Sequence, residues 1–110
     1  MSKVFVVQDN GRYNLLAAQK YGDLITLLPA RMQIQLDATE AIEAISNKLI
    51  HYNSEDSILA IGDPAAIGIA IAVATFYNGG IINVLKFDRH QNDYYRLPVD
   101  LTQFFEQEAA

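Results

Sequence analysis

The sequence predicts an α/β fold built on a mostly parallel sheet. Three observations lead there. Short apolar runs rich in Val, Ile, Leu and Phe recur between stretches of helical spacing. Strands that alternate with helices pair in parallel through right-handed crossovers. The last two apolar runs, by contrast, are separated only by the polar "DRHQND", which reads as a hairpin.

Val4 to Val7 is an unbroken apolar run, as expected of a strand buried on both faces. "QDNGRYN" follows, with Asn10-Gly11 as a turn signal. "NLLAAQKYG" predicts a short helix with Asn14 as N-cap and Gly22 just past its end. Leu24 to Leu28 is a second strand, stopped by Pro29. In "ARMQIQL", Met32, Ile34 and Leu36 alternate with polar residues, which suits either a short edge strand or an extended loop.

"DATEAIEAISNKLIHY" is the clearest helix. Asp37 and Glu40 have the spacing of a capping box, and Ala38, Ile42, Ile45, Leu49 and Tyr52 form one apolar stripe. "NSED" is a loop, and Ser57 to Ile61 a third strand. Gly62-Asp63-Pro64 then opens a helix that runs to Tyr77 and is closed by Gly79 and Gly80. Ile81 to Phe87 and "YYRLPVDL" are the fourth and fifth strands. "TQFFEQEAA" is a short terminal helix or a frayed tail. Residues 1–110 thus read as a single α/β domain, a three-layer Rossmann-like or flavodoxin-like mini-domain. The expected strand order is second, first, third, fourth, with the fifth as an antiparallel C-terminal edge.

Eight basic against thirteen acidic residues leave a net charge of −5. That argues against general affinity for nucleic-acid backbones, which needs clustered Lys and Arg. With no cysteine there is no disulfide, thiol chemistry or Cys-based metal site. The N-terminal apolar run is too short for a signal peptide. The longest apolar run falls short of the roughly 20 residues of a membrane span, so no membrane association is expected.

In open α/β sheets ligands sit beyond the carboxyl ends of the strands where strand order reverses. Here that point lies between the first and third strands, where Gln8–Asn14 meets Gly62–Ala66. The candidate ligand-binding residues are therefore Asp9, Asn10, Arg12, Asn14, Gly62 and Asp63. Gly62 permits close backbone approach, Asp63 suits an N-cap and Pro64 the first helical position. The same residues also make an ordinary tight corner. The turn is neither a P-loop nor a dinucleotide fingerprint, since Gly-Lys-Ser/Thr and G-x-G-x-x-G are both absent. Asp9 and Asp63 together have the chemistry to hold Mg²⁺, or else each serves its own turn.

His51 and His90 have no metal-ligand spacing, and no nucleophile–base set can be assembled. The sequence thus assigns no catalytic residue, no metal site and no cofactor. Lys86, Arg89 and Arg96 with Tyr94 and Tyr95 put cations and aromatics in one hairpin. Asp88, Asp93 and Asp100 dilute that charge, so a solvated edge is the expectation.

The helix from Ala65 to Tyr77 has no charged residue. Ala66, Ala70 and Ala74 form a small-residue row open to a close neighbour, and Ile67, Ile69, Ile71 and Val73 cover its other faces. A helix apolar all round must be buried all round. One sheet covers only one side, so the other needs the neighbouring helix or a second subunit; a homo-oligomer, most simply a C2 dimer, or a host or phage protein partner is the favoured expectation.

Three motifs carry a resemblance that spans most of the chain. They are Asp9-Asn10-Gly11-Arg12 with Asn14, Gly62-Asp63-Pro64 with Ile67-Gly68, and Lys86-Phe87-Asp88-Arg89. The chain resembles a family of small uncharacterised Rossmann-like proteins of tailed bacteriophages, cyanophages included. The resemblance implies a phage origin and action in the host cytoplasm, and brings no activity or cofactor with it. Three functions follow in order. The first is a non-enzymatic phage accessory protein acting through oligomerisation and partner binding. The second is a small-ligand or nucleotide-binding module at the crevice. The third is a metal-dependent phosphoryl-transfer or hydrolytic enzyme on Asp9 and Asp63.

Overall fold

The computed structural model describes residues 2–105. Five strands form one sheet: β1 (Lys3–Gln8), β2 (Asp23–Leu28), β3 (Ser57–Leu59), β4 (Ile81–Asp88) and β5 (Asp93–Asp100). Their order is β2-β1-β3-β4-β5. β1 pairs in parallel with β2 and β3, and β3 with β4. β5 returns antiparallel to β4, with Asp88 opposite Asp93. The architecture is thus the Rossmann-like α/β arrangement with an antiparallel edge that the element order predicted.

The alternation of β1 explains the layers. Phe5 and Val7 point to one side, where they join α1 (Thr39–Leu49) and α2 (Pro64–Tyr77) in the larger core with Leu27, Ile58 and Ile82. Val4 and Val6 point to the other side, where they meet Ala18, Leu59, Leu85 and Tyr94. A strand buried on both faces must be apolar at every position, and Val4 through Val7 are all buried.

Several local expectations are corrected. The segment after the first turn is a 3₁₀ helix, Leu16–Tyr21, not an Asn14-capped α-helix. Asn14 Oδ1 instead accepts from the Leu16 amide in a local turn. Gly22 does end that element, with φ 145°. A Cβ there would lie 2.5 Å from the Ser2 carbonyl oxygen, so the chain approaches β1 too closely for any other residue. "ARMQIQL" is loop rather than strand. β3 stops at Leu59 rather than Ile61.

The capping box does not form either. Asp37 Oδ1 accepts from the amide and hydroxyl of Thr39, and Ala38 takes the cap position. This shifts the buried stripe of α1 to Ala41, Ile45 and Leu49 and leaves Ile42 exposed. At the end of α1, the Lys48 ammonium donates to the Thr26 carbonyl of β2. α3 (Thr102–Phe105) closes the described chain. Residues 106–110 of the terminal stretch lie outside the described residues.

The start of α2 is as expected. Asp63 is its N-cap, accepting from the Ala65 amide at 2.9 Å, and Pro64 follows. The turn sits partly in solvent. Asp63→Ala is expected to cost about 1 kcal/mol as a lost cap, measured by urea denaturation.

At the amino edge of the sheet a polar network is buried. Asp56 is only 1% exposed. Its carboxylate accepts from the Lys3 amide at 2.9 Å and the Asn53 amide at 3.0 Å, tying the start of β1 to the loop before β3. Its carbonyl accepts from the Tyr52 hydroxyl and the Asn83 side chain. Burial pushes the Tyr52 phenol above its usual value, opposed by the bond from the Asn83 amide.

Candidate functional site

At the carboxyl edge, the point where strand order reverses is occupied by a side chain of this chain. Gln8 closes β1 and is 5% exposed. Its amide nitrogen donates to the carbonyls of Pro29 and Met32, at 3.0 and 2.8 Å. Its oxygen accepts from the Asp63 amide at 3.0 Å. One glutamine therefore joins the ends of β1 and β2 to the turn before α2. Gly62, at φ 116°, is what lets that turn come in. A Cβ on it would lie 2.5 Å from the Gln8 Cβ.

The six predicted site residues fall into two groups around this plug. Gly62 and Asp63 are joined to it as described. Asp9 Oδ1 accepts from the Gly11 amide, and Asn10 Oδ1 from the Arg12 amide, so both fold the loop back on itself. Arg12 forms no ion pair with Asp9 or Asp63. Among the described residues Lys20–Asp93 is the one ion pair. Arg12 and Asn14 border a different space. They line a cavity of about 280 Å³ with Tyr13, Ala17, Phe87 and Asn92. Among the described residues no group of three or more His, Asp or Glu comes together as a metal-ligand set.

Sequence reasoning missed the neighbouring groove. β4 runs on to Asp88 while β3 ends at Leu59, so the carboxyl end of β3 is left as a step. Ala60, Ile61, Val84, Lys86, Phe87 and Arg89, with Tyr13, line a groove of about 290 Å³ at that step. The Tyr13 and Phe87 rings meet at 6.1 Å in an edge-on arrangement, and Phe87 meets Tyr94 at 5.3 Å. Tyr94 anchors the row by donating its hydroxyl to the Asn14 carbonyl. Burial raises the Tyr94 phenol, aided by nearby Tyr13 and the Asp9 carboxylate. The missed signal was the unequal length of two adjacent strands, which no motif announces.

On the outside of this edge Lys20 bridges the 3₁₀ helix to Asp93 in β5. The bond from Lys20 holds the Asp93 carboxyl below its usual value, with help from the Tyr94 amide, and the same bond raises Lys20. The contribution is full between the ordinary values, about 3.9 for Asp and 10.4 for Lys. It is lost as pH falls through the depressed Asp93 value or rises through the raised Lys20 value. The pair is exposed and screened by salt. Asp93→Asn is therefore expected to cause a small stability loss at pH 7 that vanishes at high salt, read by melting at two ionic strengths.

A family model described as Phage Pam3 gp32-like protein matches residues 2–101. No curated protein and no solved structure matches the chain.

Proposed function

The chain belongs to the Phage Pam3 gp32-like protein family, and from that premise we propose that it is a non-enzymatic accessory protein that works by self-association. One observation carries this reading, the unpartnered outer face of α2. The helix has no charged residue between Pro64 and Tyr77. Its row Ala66, Ala70 and Ala74, which the sequence offered to a partner, is buried in the chain's own core. α1 and the sheet approach closely there. The face left outward is Ala65, Gly68, Ala72 and Phe76, all exposed, with Phe76 82% so.

A second copy is the occupant that fits. Each copy carries −5, so two copies repel over most of their surfaces. This face has no charge to repel with. At Gly68 a Cβ would meet nothing within 4 Å, so a neighbouring helix can come close. A two-fold pairing of identical apolar faces also needs no complementary partner charge. No described helix is long and apolar enough to cross a membrane, and on this reading the site of action is the host cytoplasm. Any further phage or host partner would meet the assembled dimer.

Light scattering over a concentration series tests the proposal. The expected mass is twice 12.2 kDa, reverting to one chain in Ala72→Glu with the fold retained. A monomer at every concentration overturns it.

A further inference from the structure

We propose that the step at the carboxyl end of β3 is a binding site for a mononucleotide, with the base against Tyr13 and the phosphate held by Arg89 and Lys86. The inference is independent of self-association. It rests on a different part of the molecule, where three kinds of surface meet.

The first is apolar and aromatic surface. Ala60, Ile61, Val84, Tyr13 and Phe87 all line the groove. Tyr13 is 39% exposed, which leaves ring surface for a base to stack on. The second is positive charge. Arg12, Lys86 and Arg89 border the two cavities that share Tyr13 and Phe87. They are three of the chain's eight basic residues. Among the described residues none of them is in an ion pair. Lys86 sits over the Tyr95 ring at 6.0 Å. Cations left unpaired in an acidic protein, beside an aromatic slot, suit a planar anion.

The third is amide chemistry. Asn14 and Asn92 line the cavity that shares Tyr13 and Phe87 with the groove. Asn14 uses its oxygen on Leu16, and its NH₂ group can donate to the edge of a base.

The class is a free nucleotide rather than a nucleic-acid strand. A strand continuing past the slot would run along the hairpin, where Asp88 and Asp93 frame the turn. Those carboxylates, in a chain of net charge −5, repel further phosphates and leave one phosphate group as the favoured load.

Amide NMR titration of the full chain tests this. The probes are AMP, CMP, GMP and UMP, with inorganic phosphate and a twelve-residue oligothymidylate for comparison. At least one mononucleotide is expected to perturb residues 12–14, 60–61 and 84–89 together. Tyr13→Ala and Arg89→Ala should each weaken that binding about tenfold, and Arg31→Ala should leave it unchanged. Tyr13 and Arg89 are exposed, and the amide spectrum reports whether each variant is folded. No response to any mononucleotide in these segments overturns the proposal. So does an equal response to inorganic phosphate alone, which reads as an anion patch. Oligothymidylate binding more than tenfold tighter than any mononucleotide also overturns it and assigns the groove to a strand.

Discussion

Ala70→Asp is expected to cost more than about 4 kcal/mol, because it buries a carboxylate with no partner against a close-packed surface. Ala70 is fully buried, in the middle of the row by which α2 packs into the main core. Domains of this size are stable by about 5–15 kcal/mol, so the variant loses a large share of its stability, and nearly all of it at the low end of that range. Ala72→Asp is the matched comparison. It lies two residues on but on the outward face, and at concentrations too low for self-association it should cost about 0.7 kcal/mol or less from helix propensity. Equal losses in the two, by urea denaturation with circular dichroism, would contradict the assignment of inner and outer faces.

Asp56→Ala is expected to cost about 3 kcal/mol, since bonds to a buried charged group contribute about 1.5–3 kcal/mol each and leave orphaned amides behind. The amides are those of Lys3 and Asn53. Asp56→Asn keeps one side-chain acceptor and should recover part of the loss. Hydrogen exchange gives a local readout. The Lys3 amide should lose protection in Asp56→Ala even under conditions where the core amides of β1 remain protected. A fully protected Lys3 amide in that variant would show that the carboxylate does not hold the strand.

These two sites differ in how far the sequence reveals them. The parallel sheet and its order followed from strands buried on both faces alternating with helices, and the Asp63-Pro64 helix start followed from local capping chemistry. Such signals lie within a few residues of one another. Asp56 sits in "NSED", which reads as plain loop, because its partner amide at Lys3 is 53 positions away. The 3₁₀ helix was missed for a related reason. Asn14 satisfies its own turn, so the turn takes up the first half of the connection and only the six residues Leu16–Tyr21 are helical. The uncharged character of α2 was legible, but which alanine row faces inward depends on where α1 and the sheet lie.

The candidate site was legible as a neighbourhood only. The turn residues were expected to cluster about the ends of β1 and β3; Gly62 and Asp63 meet Gln8 there, whereas Arg12 and Asn14 line a separate cavity. What comes close is Gln8, an unremarkable polar residue in sequence terms, whose three bonds need three separated segments. The groove beside it depends on β3 ending before β4, a comparison between strands that sequence periodicity does not make.

The two rims of the sheet have a consequence for the behaviour of the protein when it is abundant. An open β edge is a template on which further chains can add and grow into fibrils. Along β5, Pro98 removes a backbone donor, and Arg96 and Asp100 place charges of both signs. Along β2, the Lys48 ammonium takes the Thr26 carbonyl and covers the strand with a charge. Polymerisation through either rim is thereby discouraged.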